Sequence, residues 1–148
     1  MPANNLSRQP APTQHPLIAV YGSLRKGQRA NHYLDNHGFN YVGQDTIKGT
    51  LFPVGWFPGW QQFGDTAVVV DVYEVLDEDA LKPIHRYEGY SETYPDESLF
   101  KLVSTRLQGT EQEVMCYEYN GGIGSVGKAI DHGDWAEYVA AKRGDKVS

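Results

Sequence analysis

Two short stretches carry residues whose types and spacing can do chemistry. In the first, Leu17-Ile18-Ala19-Val20-Tyr21 runs into Gly22-Ser23-Leu24 and at once becomes basic, with Arg25, Lys26 and Arg29. A buried strand that ends in a glycine turn lets a ligand come close to the backbone. The amide N–H groups of the turn can then face an anion, and the start of a following helix adds its positive end. A carboxylate or an oxyanion would suit such a nest equally well. The same residues also suit a plain strand-to-helix connection.

The second stretch is His85-Arg86-Tyr87-Glu88-Gly89-Tyr90. Glu88 stands one residue before a glycine that closes a helix, at the negative end of the helix dipole. Tyr87 and Tyr90 flank it and can shelter it from water. Both effects raise a carboxylate's pKa, the direction needed to accept a proton from an ammonium near neutral pH. The alternative is a solvent-exposed Glu88 paired with Arg86 or His85.

Other patterns carry less. Gly122 to Gly127 has the spacing of a dinucleotide fingerprint, yet too little chain follows Gly127 for the second strand and the acidic ribose partner. It reads as a flexible glycine-rich loop. His32 and His37 fall on different faces of a helix, while His15, His85 and His132 are scattered, so no metal site is expected. Cys116, mid-strand between Met115 and Tyr117, reads as buried and inert. No P-loop and no G-x-S-x-G elbow occurs.

The elements that must position these residues make an α+β domain. The strand candidates are 17–21, 41–44, 47–52, 66–75, 99–107 and 113–119, most of them rich in Val, Tyr and Thr and bounded by Gly, Pro or Asp. Residues 28–37 read as a helix closed by Gly38, and a second helix is opened by Asp77 and closed by Gly89. Pro83 should break that second segment and restart it as a first-turn residue. Asp134 and Glu137 have capping-box spacing for a short closing helix. Residues 54–64 read as an aromatic loop. A mostly antiparallel, closed sheet with one or two covering helices suits this order better than alternating βαβ units.

Composition bounds the rest. The chain has 148 residues, enough for one domain with an ordinary core. A net charge of −6 argues against nucleic acid and against an anionic membrane surface as partners. A single cysteine rules out an internal disulfide and fits a reducing, cytoplasmic compartment. No apolar run reaches the roughly 20 residues of a membrane helix. Residues 1–15 read as a disordered, proline-rich tail, and 16–148 as the folded domain.

Taken together, the two stretches resemble the γ-glutamylcyclotransferase-like family, which includes the γ-glutamylamine cyclotransferases and small bacterial and plant relatives. The matching segments are VYGSLRKG, VYEVLDEDAL leading into a helix, EGY with Tyr94 beyond it, VMCYEY, and GDW near the end. They follow the family's order from about residue 17 to 138. The resemblance implies a small β-barrel with helices packed on it and a cavity at one end. It implies that Tyr21, Gly22, Ser23 and Leu24 cradle a γ-glutamyl group and that Glu88 is the general acid/base. Arg25 would assist electrostatically if it points inward, and Tyr94 would sit at the substrate. The chain departs from the family at Val70-Asp71, where Gly-Glu is frequent, at Pro95-Asp96 after Tyr94, and at Pro83 within the helix that delivers Glu88.

The implied chemistry is the closure of a γ-glutamyl amide to 5-oxoproline with release of its amine. It needs no metal, nucleotide or covalent intermediate, only a folded substrate and a proton carrier. The competing class is a binding module that holds an acidic small molecule in the same cavity without turning it over.

Overall fold

The structure, a computed structural model, describes residues 15–122 and 126–147. All of the expected tail except His15, and the centre of the Gly122–Gly127 segment, lie outside the described residues. The described elements are strands β1 (Leu17–Val20), β2 (Phe39–Val54), β3 (Phe57–Val75), β4 (Phe100–Arg106) and β5 (Glu113–Tyr119), with helices α1 (Leu81–Glu88) and α2 (Trp135–Val147). They form one five-stranded sheet in the order β2-β3-β1-β5-β4. All neighbours are antiparallel except β1 and β5, which run parallel.

Strand β1 lies at the centre, and this explains its unbroken apolar sequence. Leu17 and Ala19 enter one core cluster with Trp60, Val68, Val70 and Trp135, whereas Ile18 and Val20 enter the other with Leu24, Leu34, Ile84 and Tyr117. A strand covered on both faces has no polar side to alternate with. The chain leaves β1 at Tyr21, so the turn that follows starts from a rigid, fully packed base.

Three expectations are corrected. The aromatic stretch after Val54 is a hairpin rather than a loop: Val54 pairs with Phe57 and Pro53 with Pro58, across a turn of Gly55 and Trp56. Gly55 takes φ +65°, the positive angle that favoured two-residue hairpin turns demand. Residues 28–37 form a chain of turns with a single 3-10 turn at Asn31–Tyr33. Asn31 donates from Nδ2 to the Leu24 carbonyl and the Tyr73 hydroxyl, both at 2.9 Å. Polar, short side chains that bond the backbone in this way compete with helix formation.

The sheet also does not close into a barrel. Its edges, β2 and the end of β4, meet at one isolated bridge, Ile47 with Leu107, and at bonds from the turn after β4 to Asp45 and Thr46, among them the Gln108 N–H to the Thr46 carbonyl at 2.9 Å and the Gly109 N–H to Asp45 Oδ1 at 2.8 Å. Strand β4 has 7 residues against 16 in β2, too short to run a ladder along that edge. The sheet curls but keeps a seam.

The two helices end as their sequences dictate. Asp77 accepts from the Asp79 N–H at 3.0 Å, a 3-10 turn follows at Glu78–Ala80, and Pro83 falls in the first turn of α1. Asp134 accepts from the Glu137 N–H at 3.2 Å at the start of α2. Among the described residues no helix is long and apolar enough to cross a membrane.

Candidate active site

The turn after β1 and the end of α1 meet at a cavity of about 320 Å³. Tyr21, Gly22, Ser23 and Leu24 line it from the turn, Tyr87 and Glu88 from α1, and Tyr117 from β5. The hairpin tip contributes Trp56, Phe57 and Pro58, and Arg29 stands at the rim. Two stretches more than sixty residues apart in sequence thus share one space.

Glu88 is placed by the close of its helix. Gly89 adopts φ +70°, its N–H bonds the Arg86 carbonyl at 3.2 Å, and the Tyr90 N–H bonds the His85 carbonyl at 2.8 Å. This double closure is a Schellman motif, and it requires a left-handed residue that glycine supplies without cost. The Tyr90 ring packs on His85 at 4.9 Å, the side-chain contact that accompanies such an ending. The Glu88 side chain is then aimed into the cavity rather than along the surface.

No hydrogen bond or ion pair to the Glu88 carboxylate exists among the described residues, so neither Arg86 nor His85 holds it. Burial pushes Glu88 up from the ordinary carboxylate range to about 7. Its negative form in turn holds up the Tyr117 hydroxyl, which burial already raises, and adds to the same effect of burial at Tyr21 and Cys116. Cys116 is fully buried and its thiol is pushed far up, an inert group as expected.

The turn presents donors. The Arg25 N–H bonds the Gly22 carbonyl at 3.0 Å, the Lys26 N–H bonds Asp71 Oδ2 at 2.8 Å, and the Ala30 N–H bonds the Ser23 carbonyl at 2.9 Å. Among the described residues the N–H groups of Gly22, Ser23 and Leu24 make no such bond. Three consecutive amides without a bond, on residues that line the cavity, make a candidate nest for a carboxylate or oxyanion. Gly22 is required by close approach: a Cβ there would meet Cγ of Pro58 at 2.5 Å. The space beside Gly22 therefore belongs to Pro58.

Tyr21 anchors the turn. Its hydroxyl donates to the Tyr117 carbonyl at 2.7 Å and accepts from the Trp60 N–H at 3.2 Å. That leaves its ring, rather than its hydroxyl, to face the cavity. Tyr117 uses its own hydroxyl on Nδ1 of His85 at 2.7 Å, and burial lowers the pKa of that imidazole.

Two of the sequence-derived candidates lie elsewhere. Arg25 is buried and turned away from the cavity, with Nη1 2.9 Å from Asp134 and Nε 3.4 Å from Asp71. It ties the turn to α2 and β3. Asp71, at one of the departures from the family pattern, is the other end of that tie. Tyr94 is 62% exposed just before the Pro95–Glu97 turn and does not line the cavity. Sequence reading missed Trp56, Phe57, Pro58 and Tyr117 as cavity residues. Arg29 was visible only as a member of the basic run. Hairpin pairing brings the first three to the site, and no local signal announces it.

A family model described as gamma-glutamyl cyclotransferase, AIG2-like, matches residues 18–137. A comparison with curated proteins finds no match. Among solved structures, the chain is similar to an uncharacterized protein from Pyrococcus horikoshii, with 27% identity and a TM-score of 0.66 over 86% of this chain and 96% of that one. It is similar in fold to a uropathogenic E. coli-specific protein, with 18% identity and a TM-score of 0.67 over 86% and 98% of the two chains. An AIG2-like protein from Mus musculus shares 19% identity with a TM-score of 0.62, over 83% of this chain and 95% of that one.

Proposed function

From a chain that belongs to the gamma-glutamyl cyclotransferase, AIG2-like family, we propose a specific reaction: closure of a small γ-glutamyl amide to 5-oxoproline with release of the amine, Glu88 carrying the proton. Family membership supports cyclotransferase-type activity in general. One observation supports the finer reading. An unpaired carboxylate raised to about 7 shares a cavity with three unbonded backbone amides.

Each group has a task. The amides of Gly22, Ser23 and Leu24 hold the substrate's carboxylate or the oxyanion that develops at the γ-carbonyl. Glu88 takes a proton from the α-ammonium. The freed nitrogen attacks the γ-carbonyl carbon, forming the ring C–N bond and a tetrahedral oxyanion. Collapse breaks the original amide C–N bond as Glu88 returns its proton to the departing nitrogen, and the ring nitrogen gives up its second proton through Glu88 to the released amine, leaving the neutral lactam. No water is consumed and the atoms balance. A group near 7 is populated in both forms at neutral pH, as a carrier that accepts and then donates must be. Because the attack is intramolecular, holding the substrate in a near-attack shape supplies much of the acceleration.

A cavity meant only to bind an anion gains nothing from a carboxylate facing its ligand. The test is direct: incubate the protein with γ-glutamyl amides and measure 5-oxoproline. Its formation, dependent on Glu88, supports the reading, and binding without turnover overturns it.

A further inference from the structure

The cavity does not end at Glu88. It opens past Ser23, Arg29 and the hairpin tip into an adjoining groove whose far side is formed by Trp135 and Val139 of α2. The guanidinium of Arg29 lies over the Trp56 indole, 5.0 Å from the ring centroid, at the junction of the two spaces. Among the described residues Arg29 has no carboxylate partner, and no acidic side chain lines the groove. Lys26, the other exposed cation of the run, is instead drawn over the Tyr41 ring at 4.4 Å.

Resting on the proposed cyclisation, we propose that Arg29 and Trp56 form the leaving-group subsite and select γ-glutamyl compounds whose amine bears a carboxylate. With Glu88 and the nest holding the γ-glutamyl end, the departing half has a route past Ser23, Arg29 and Trp56, which line both the cavity and the groove. There it meets one cation and no anion. A guanidinium stacked on an aromatic face keeps its edge N–H groups free for a bidentate carboxylate, and stacking limits the entropy lost on binding. A cationic amine would meet repulsion at the same point, with nothing to offset it. The substrate class is therefore γ-glutamyl amino acids or peptides rather than γ-glutamyl alkylamines or polyamines.

The test compares kcat/KM for γ-glutamylalanine, γ-glutamylethylamide and γ-glutamylputrescine, read as 5-oxoproline, in the parent and in Arg29→Gln and Arg29→Lys. Arg29 is exposed, so both variants should fold. The parent is expected to prefer the alanine compound about five- to twentyfold over the ethylamide, the scale of one partly shielded charge-assisted bond. Putrescine should be the poorest of the three. Arg29→Gln should bring the alanine-to-ethylamide ratio toward one, and Arg29→Lys should keep part of it. A ratio unchanged in Arg29→Gln, or a parent that prefers either amine, overturns the subsite. If none of the compounds is cyclised, the reaction fails, and calorimetry with glutarylalanine and glutarylethylamide, which lack the attacking amine, tests the subsite by itself. Tighter binding of glutarylalanine that Arg29→Gln abolishes upholds it. Equal binding of the two overturns it.

Discussion

The Ser23 and Tyr87 hydroxyls lie 2.6 Å apart, which clips the turn after β1 to helix α1 one residue before Glu88. The clip joins the amide nest to the element that carries the carboxylate. It is solvent-exposed, so its worth to stability is at the low end of the about 0.5–1.5 kcal/mol of a hydrogen bond. Its worth to geometry is larger. Tyr87→Phe should leave the melting temperature nearly unchanged and lower kcat/KM for a γ-glutamyl substrate by roughly three- to tenfold, because small misplacement of reacting groups is costly. Steady-state kinetics with thermal unfolding on the same sample checks both halves.

The Gly22 position should tolerate no side chain. A Cβ would overlap the Pro58 ring, which is rigid and anchored in the β2–β3 hairpin. Gly22→Ala should destabilise the protein by about 1–3 kcal/mol as an overpacked site, visible as a lower urea midpoint. It should also displace Pro58 from the cavity wall and weaken substrate binding. A protein with an unchanged midpoint would show that the turn is looser than this packing requires.

Arg25 is predicted to matter for the fold rather than the chemistry. Its guanidinium bridges Asp71, which is 2% exposed, and Asp134 at the start of α2. Arg25→Met leaves Asp71 with the Lys26 N–H and a long 3.5 Å contact from the Tyr41 hydroxyl. Removing one partner of a buried pair costs about 3–5 kcal/mol, and the remaining amide bond should hold the loss near the lower figure. Lysine, a point charge, cannot bridge both carboxylates, so Arg25→Lys should recover little. Chemical denaturation of the two variants distinguishes this from a role in catalysis, which would lower kcat at full stability.

The sequence made the two halves of the site legible because each depends on local rules. Gly89 after Glu88 announces a helix end, and an apolar run broken by Gly22 announces a strand that stops. What it hid depends on partners far along the chain. Nothing near Arg25 says that Asp71 and Asp134 will claim its guanidinium, and nothing near Trp56 says that a hairpin will carry it to Arg29. The 28–37 helix failed for a related reason: Asn31 finds Tyr73 across the fold, a contact no helical periodicity encodes. Sheet closure is the most global property of all. It turned on the length of β4 relative to β2, and the single bridge at Ile47 is the result.

Glu88 is predicted to set the pH dependence of both rate and stability. Its folded pKa, about 7, is raised above the unfolded carboxylate value of about 4.3. Between those values the folded state binds more protons than the unfolded chain, so this group's contribution to stability falls as pH rises through that window. The parent should therefore be less stable at pH 8 than its Glu88→Gln variant by about 1–3 kcal/mol, with the difference shrinking as the pH falls from about 7 toward 4. Activity runs the other way. kcat/KM should rise with pH through an inflection near 7 as the base form fills, and paired urea titrations and rate profiles would record the two opposite trends.

The central claim is that Glu88 carries the proton, and Glu88→Gln tests it most directly. Glutamine keeps the shape of the side chain but cannot accept from the ammonium or return a proton to the leaving amine. The measurement is the rate of 5-oxoproline formation from a γ-glutamyl amide, with affinity for a non-cyclising glutaryl analogue determined on the same variant. The account predicts that turnover falls by about 10²–10⁴-fold, or more because one group serves both proton transfers, while the analogue binds as it does to the parent. Cyclisation by Glu88→Gln at the parent's rate would contradict it.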